Sequence, residues 1–185
     1  MYRDNLIHIF LVREGGLTFY GGIFGAILFA VPYIIYKKYS LPALFDVCTP
    51  AIALGYSIAR IGCFLNGCCY GRVSPFSVFP LGVHFPSLDG WRFPTQIYSA
   101  GYSLLILFLL LKLERRKIFQ GELFFDYLWL YAIARFLIEY LREEPFSVFG
   151  IMTAAQFACL LILVISLILR EILKKHAVQR TQNRS

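Results

Sequence analysis

Several charged side chains lie inside or at the end of apolar runs, where they are positioned to hold a charged ligand. Arg60 falls near the end of one run, and Arg135 and Glu139 lie inside another, in the segment RFLIEYLR. An ionisable group in apolar surroundings is costly unless it is paired or hydrated. The spacing of Arg135, Glu139 and Arg142 is i, i+4 and i+7, which predicts a single helical stripe. These residues are therefore the first functional candidates.

The charges on this stripe do not balance. One interpretation is that Glu139 only neutralises Arg135 and joins one helix to another. However, two arginines flank a single glutamate, and Arg60 adds a further positive charge from a different apolar run. In a membrane the abundant anion is the lipid phosphate, and a guanidinium binds phosphate oxygens through two parallel hydrogen bonds. The pattern favours a clamp for a lipid phosphate.

Three cysteines, Cys63, Cys68 and Cys69, lie in the segment ARIGCFLNGCCYGR, which ends the apolar run that contains Arg60. The spacing C-x4-C-C lacks the second cysteine or histidine pair of a structural zinc site, and we predict no metal and no cofactor. Two interpretations stay open. Cys63 pairs with Cys68 or Cys69 in a disulfide at an oxidising surface, or the cysteines are small filler side chains.

The elements that position these residues are predicted to be membrane helices. The chain has 185 residues, of which 58% are hydrophobic and 16% charged, and its mean hydropathy is +0.64. It is thus far more apolar than an ordinary soluble domain. The net charge of +7 comes from basic clusters at the ends of apolar runs, which marks cytoplasmic ends and argues against a nucleic-acid partner. We expect an all-α, polytopic transmembrane bundle without a removable signal peptide.

About twenty apolar residues of helix cross a bilayer core, and five segments approach that length. The basic clusters place the N-terminus outside and the C-terminus in the cytoplasm. We expect one membrane-embedded domain over residues 1–173 with an outer loop at 66–93, followed by a basic, mobile cytoplasmic tail at 174–185. The predicted spans are Leu17 to Tyr36, Ala43 to Phe64, Pro94 to Leu111, Leu123 to Leu141 and Ile151 to Leu169.

Glycines are frequent in the first predicted span. Gly21 and Gly22 follow Tyr20 directly in the segment EGGLTFYGGIFG. Small residues allow close packing of membrane helices. They also leave room for a lipid head to approach the backbone beside the Tyr20 phenol.

Five segments occur in an order that resembles the bacterial prolipoprotein diacylglyceryl transferases: GGLTFYGGIFG, ARIGCFLNGCCYGR, FPTQIYS, ARFLIEYLREEP and IMTAAQF. The resemblance covers nearly the whole chain. It implies a polytopic enzyme of the bacterial inner membrane that moves the diacylglyceryl group of phosphatidylglycerol onto the lipobox cysteine of a prolipoprotein. Glycerol phosphate leaves and a thioether forms. The implied partners are phosphatidylglycerol, prolipoprotein signal peptides and membrane lipid.

The resemblance also assigns roles to residues. Arg60 and Arg135 match the two essential arginines of the family, Glu139 matches its helix-borne glutamate, and Tyr20 stands at a catalytic position as a hydrogen-bonding group. Together with the residues singled out above, the candidates for substrate binding are Gly21, Gly22, Asn66, Gly71, Gln96, Tyr98 and Arg142.

The chain departs from the family pattern at three points. Tyr20 stands where a histidine is usual, and Cys63 and Cys68 stand where asparagine and glutamate are usual. Family members also bring two further spans before the EGGLTF motif, so we expect either that the sequence starts late or that the chain is a natural, N-terminally short and cysteine-rich variant. Two alternatives follow from these departures: a membrane thiol-disulfide protein that uses the three cysteines, or an inactive lipid-binding remnant of the fold.

Overall fold

The computed structural model describes residues 19–86, 88–142, 147–148 and 152–182. The described residues fall into two compact units, with the boundary between Leu41 and Pro42. Within the described residues the elements are, in order, α1 (Phe19–Lys37), α2 (Leu41–Leu65), β1 (Val83–His84), β2 (Trp91–Arg92), α3 (Thr95–Leu113), a 3-10 turn (Glu114–Arg116), α4 (Glu122–Glu139), β3 (Ser147–Val148), β4 (Met152–Thr153) and α5 (Ala154–Gln182).

A helix occupies each of the five predicted spans, which confirms the all-α class. The start of the first span, at Leu17, lies outside the described residues. Three helical segments in the described part of the chain are long and apolar enough to cross a membrane, namely Leu41–Leu65, Thr95–Arg116 and Ala154–Lys175. α4 is less apolar because four of its 18 residues are charged: Glu122, Asp126, Arg135 and Glu139.

Small and hydroxylated residues hold α2 against α3. Ser57 donates a hydrogen bond to the carbonyl of Ala100 at 3.2 Å, and Ser103 donates one to the carbonyl of Ala53 at 2.7 Å. Small residues let helix backbones approach closely in a membrane, and the serines add interhelical hydrogen bonds. The buried core continues from this contact into α4, through Ala53, Ile106, Leu110, Leu123 and Tyr127.

A buried carboxylate on α2 caps α4. Asp46 is 2% exposed, and its two oxygens accept hydrogen bonds from the backbone N–H groups of Gly121 at 2.8 Å and Phe124 at 3.2 Å. Lys117 lies 3.7 Å from the same carboxylate. The first N–H groups of a helix have no partner within the helix, so Asp46 satisfies two of them and joins α2 to α4.

The fifth helix runs further than the sequence pattern predicted. α5 ends at Gln182, whereas the predicted span ends at Leu169, and the helix therefore takes in residues 170–182 of the predicted basic end. These residues include Lys, Arg, Glu and Gln and no glycine or proline, a composition that favours helix. Arg170 on α5 bonds Glu122 on α4 at 3.0 Å, which pairs the middle of α5 with the first residue of α4.

The 66–93 loop is a folded segment without a long helix, as its prolines and glycines predict. β1 and β2 pair in an antiparallel hairpin, with Val83 opposite Arg92 and His84 opposite Trp91. A further bridge joins Gly71 to Arg142 beyond the end of α4. The loop is thereby fixed beside the ends of α2, α3 and α4 that carry the candidate site.

Candidate functional site

Arg60 lies five residues before the end of α2 and packs on an aromatic ring. Its guanidinium carbon is 4.8 Å from the centre of the Tyr56 ring, one helical turn earlier. An arginine over an aromatic face gains a cation–π attraction that leaves its outward N–H donors available. Among the described residues no carboxylate forms an ion pair with Arg60.

Arg135 is held by a carboxylate on its own helix. Arg135 and Glu139 form a short ion pair, with side chains that are 12% and 0% exposed. The hydroxyl of Thr153 donates a hydrogen bond to the other Glu139 oxygen at 3.0 Å. Both oxygens of Glu139 are therefore engaged, and the Arg135 guanidinium is oriented from α4 and from the start of α5.

A cluster of tyrosines joins the two arginines. The hydroxyls of Tyr56 and Tyr102 share a hydrogen bond of 3.0 Å, and the rings of Tyr56 and Tyr131 meet edge to face with their centres 5.4 Å apart. Both Arg60 and Arg135 lie within electrostatic range of Tyr56. The structure therefore brings two guanidinium groups from separate helices to one aromatic, hydroxyl-bearing surface.

These tyrosines are not among the candidates predicted from the sequence, although a signal for them is present. The segments YSIAR at 56–60 and YAIAR at 131–135 both place a tyrosine four residues before an arginine. Residues four apart lie on the same face of a helix. The repeated spacing therefore predicts that each arginine has a phenol beside it.

Gln96 and Tyr98 hold the 66–93 loop. The Gln96 amide donates a hydrogen bond to the carbonyl of Cys68 at 2.6 Å, and the Tyr98 hydroxyl donates one to the carbonyl of Pro80. Gln96 is 1% exposed, and its side-chain oxygen has no hydrogen-bond partner among the described residues. Their predicted role in substrate binding stays a prediction, but the unpaired oxygen is a buried acceptor that a bound group could satisfy.

Gly71 lies at the closest approach of the loop to the helices. Its N–H donates to the carbonyl of Phe93 at 2.8 Å. A Cβ at this position would lie 2.8 Å from Thr95 Cγ2, 2.9 Å from Phe93 Cβ and closer still to the carbonyl oxygen of Leu141. Only glycine fits here without displacing backbone.

The predicted helical stripe ends before Arg142, and that part of the prediction is wrong. α4 ends at Glu139, and Leu141 and Arg142 donate their N–H groups to carbonyls three residues back. Such i→i−3 bonds tighten the last turn of a helix. The backbone of Arg142 then pairs with Gly71, so the arginine lies at the junction of the loop with α4.

The end of α2 brings the three clustered cysteines together. Their sulfur atoms all lie within 4.8 Å of one another, and the thiols are free. Asn66 bonds to the Cys68 thiol and, as the largest influence, lowers the pKa of that thiol below its ordinary value. Asn66, a predicted substrate-binding residue, thus contacts a thiol in this structure.

Tyr20, Gly21 and Gly22 lie in the first turns of α1. The side chains of residues 19–24 are outside the described part of the chain. The catalytic role of Tyr20 and the substrate contacts of the two glycines stay predictions.

A family model described as prolipoprotein diacylglyceryl transferase matches residues 1–171. The chain belongs to this family. The chain is 39% identical over 144 residues to a Geobacter sulfurreducens protein, a match that covers 77% of this chain and 54% of the relative. It is 35% identical over 175 residues to a Bacillus cytotoxicus protein, covering 90% of this chain and 64% of the relative. Both relatives are named phosphatidylglycerol–prolipoprotein diacylglyceryl transferase.

Membership of the diacylglyceryl transferase family confirms the resemblance that the five sequence segments suggested. The chain spans 54% to 64% of the length of the two relatives above. Another relative, from Clostridium botulinum, carries the same name and is 33% identical over 181 residues, which cover 94% of this chain and 70% of the relative. The comparisons give no support to the thiol-disulfide protein or to the inactive remnant.

Proposed function

We propose that this chain transfers the diacylglyceryl group of phosphatidylglycerol to the lipobox cysteine of prolipoproteins. The sulfur–carbon bond of a thioether forms, the carbon–oxygen bond to the phosphate breaks, and glycerol phosphate leaves. Phosphatidylglycerol, prolipoprotein signal peptides and the surrounding lipid are the partners in this proposal. The names of the family relatives support the substrate pair.

The observation that carries the proposal is the approach of Arg60 and Arg135 to one tyrosine cluster. Arg135 has a carboxylate partner, whereas Arg60 rests on a neutral ring. Among the residues that the structure describes, one positive charge of the pair therefore has no carboxylate partner and is available to an anion. Negative charge grows on the phosphate oxygen as the carbon–oxygen bond breaks, so fixed guanidinium groups stabilise the transition state more than the ground state.

The remaining candidates support this clamp. In our proposal Glu139 and Thr153 hold Arg135 in the direction of the phosphate, and the Tyr56 hydroxyl donates to a phosphate oxygen. Tyr20 contributes a hydrogen bond. A phenol in general ionises near pH 10 and is therefore a poor base at neutral pH. Gly71 and Gln96 shape the space around the lipid head, and Asn66, Tyr98 and Arg142 shape the loop above it, while the substrate-binding roles of Gly21 and Gly22 stay predictions from the sequence.

We also propose a multi-pass location in the bacterial inner membrane, with the 66–93 loop outside and the basic ends of the helices in the cytoplasm. The basic residues of the 3-10 turn and of α5 support this orientation. A membrane-impermeant maleimide should label a single cysteine placed at Val78 and not one placed at Arg116. The opposite labelling would contradict the orientation.

The function is tested by lipidation of a reporter prolipoprotein in membranes that contain phosphatidylglycerol. Arg60→Ala and Arg135→Ala should each lower the rate by at least about 100-fold, the scale of losing one fixed donor at a transition state. Arg116→Ala is the matched control, because Arg116 is exposed and lies in the 3-10 turn after α3.

Unchanged lipidation in Arg60→Ala or Arg135→Ala, with normal membrane insertion, would contradict the proposal. The chain should also restore growth of a strain depleted of its own transferase. Binding of phosphatidylglycerol without any lipidation of the reporter would identify the lipid-binding remnant instead.

A further inference from the structure

Three thiols converge at the end of α2, and the mechanism above does not use them. Cys63 lies on the last turns of α2, and Cys68 and Cys69 follow in the 66–93 loop. Every pair of their sulfur atoms lies within 4.8 Å. Among the described residues no histidine or carboxylate belongs to the group.

The way α2 ends accounts for the meeting of Cys63 and Cys68. The N–H of Gly67 donates to the carbonyl of Phe64, and the N–H of Cys68 donates to the carbonyl of Cys63, both at 3.1 Å. Gly67 has a left-handed φ of 66°. These bonds form a Schellman motif around the C-cap residue Asn66, in which the second residue after the cap packs on the residue three before it. Cys63 and Cys68 hold those two positions.

Cys69 joins the pair because its backbone is held in an uncommon conformation. Its φ is 62°, in a region that residues other than glycine seldom adopt. The carbonyls of Cys68 and Cys69 accept hydrogen bonds from the buried side chains of Gln96 and Thr95, at 2.6 Å and 3.1 Å. The start of α3 therefore fixes both adjacent cysteines, and the thiol cluster is organised before any ligand binds.

The dimensions of the cluster suit a metal ion with a preference for sulfur. Zinc binds thiolate at about 2.3 Å in a tetrahedron, which places sulfur atoms about 3.8 Å apart. Sulfur atoms within 4.8 Å need only small side-chain movements to reach that spacing. Thiolate ligands select zinc and Cu(I) over magnesium and calcium. Three protein ligands leave the fourth position of a zinc ion open, as in catalytic zinc sites.

We propose that Cys63, Cys68 and Cys69 bind one Zn²⁺ ion, whose open position takes the thiol of the acceptor cysteine. The spacing C-x4-C-C was too weak a pattern to predict this, and the proposal replaces our expectation that the chain binds no metal. The evidence for the metal site is the distance between the sulfur atoms and does not depend on the proposed function. The role of the acceptor thiol rests, in addition, on the proposed function.

The position of the cluster fits the reaction. Cys63 lies three residues after Arg60 on one face of α2, and the two side chains are within electrostatic range of each other. The acceptor thiol releases its proton to solvent as its sulfur binds. The sulfur electron pair then forms the bond to the glyceryl carbon, and the electrons of the broken carbon–oxygen bond stay with the departing glycerol phosphate. The metal site thus supplies the acceptor as a thiolate.

Zinc binding is measured on the full chain, purified in detergent with its thiols reduced. We expect about one Zn²⁺ per chain. Replacing Cys63, Cys68 and Cys69 together by serine should abolish binding, while Cys48→Ser, the matched control outside the cluster, should retain it. Zinc bound equally by the triple variant, or no zinc bound by the reduced chain, would overturn the proposal. A disulfide within the cluster that persists in isolated membranes would overturn it too.

The acceptor role is tested with Co²⁺ in place of zinc. A lipobox peptide with its cysteine should increase the thiolate-to-cobalt absorption by about one third, because a fourth sulfur joins three. The same peptide with serine should have no effect. An unchanged spectrum with the cysteine peptide overturns the acceptor role and makes the ion a structural staple. Arg60→Ala should keep its zinc while losing lipidation, so failure of the transfer reaction and failure of the metal site give different results.

Discussion

At the scale of single residues, hydroxyl groups hold the charged side chains of the site in place. Tyr56 supports Arg60 through its ring and bonds Tyr102 through its hydroxyl. Thr153 bonds Glu139, which in turn holds Arg135. A guanidinium that is already oriented loses less entropy when it binds a phosphate than a mobile one does. In the proposed clamp, the neutral residues beside the arginines therefore contribute by orienting the charges.

Tyr56→Phe should keep the ring under Arg60 and remove the hydroxyl. The hydrogen bond between Tyr56 and Tyr102 is then lost, and we expect a loss of about 1 kcal/mol in the free energy of unfolding. Lipidation of the reporter should fall by at least about tenfold, since a donor near the transferred phosphate is lost. Tyr140→Phe is the control, because Tyr140 is 59% exposed. A lipidation rate equal to that of the parent chain would remove Tyr56 from the proposed clamp.

At the scale of elements, the ends of the helices position the candidate site residues. The start of α5 is a capping box: the N–H of Gln156 donates to the Thr153 hydroxyl at 3.2 Å, and the N–H of Thr153 donates to the Gln156 side chain at 3.1 Å. The same Thr153 hydroxyl reaches Glu139 on α4. The segment TAAQ carries the T-x-x-Q signature of such a box, so this contact could have been partly anticipated from sequence.

Thr153→Val should remove both the cap and the bond to Glu139. We expect a loss of about 1 kcal/mol in stability from the missing cap, together with faster hydrogen exchange in the first turn of α5. Lipidation should fall because Arg135 loses part of its support. Thr153→Ser keeps the hydroxyl and should behave like the parent chain. If valine and serine at this position give the same lipidation rate, the bond to Glu139 has no part in positioning.

Gly71→Ala tests the contact between the 66–93 loop and the helix ends. A Cβ here would overlap the carbonyl of Leu141 and crowd Thr95 and Phe93, and overpacking of this kind costs about 1–3 kcal/mol. Gly62→Ala is the control, because a Cβ on Gly62 meets nothing within 4 Å. The midpoint of SDS-induced unfolding should fall for Gly71→Ala and stay equal or rise for Gly62→Ala. Equal midpoints for Gly71→Ala and the parent chain would show that the loop adjusts freely.

At the scale of the whole molecule, buried carboxylates join the helices of residues 42–185 at the end away from the proposed arginine clamp. Asp46 on α2 caps α4, and Arg170 on α5 bonds Glu122 on α4. Hydrophobic burial does not draw helices together strongly in a membrane, because lipid tails are apolar as well. Polar contacts therefore contribute a larger share of the specificity with which these helices associate.

Asp46→Ala should weaken this arrangement. The N–H groups of Gly121 and Phe124 lose their acceptor in a buried place, which costs about 1–3 kcal/mol. The SDS midpoint should fall, and lipidation should fall with it, because α4 carries Arg135. Asp89→Ala, at an exposed loop position, is the control. A midpoint as low for Asp89→Ala as for Asp46→Ala would mean that capping of α4 is not the cause.

The sequence by itself determined the class of the fold, the family and the charged candidates, and the reason is local. Apolar run length decides which segments form membrane helices, and a charge inside such a run stands out whatever its partners are. The tertiary structure decided which helices meet, that Tyr56 lies near both Arg60 and Arg135, and that α4 ends before Arg142. It also decided that the sulfur atoms of three cysteines lie close together, although their spacing in the sequence is only weak evidence for a metal site. The end of α2 and two hydrogen bonds from the start of α3 fold the chain back on itself there. Contacts of this kind depend on residues far apart in the chain, and no local sequence pattern predicts them.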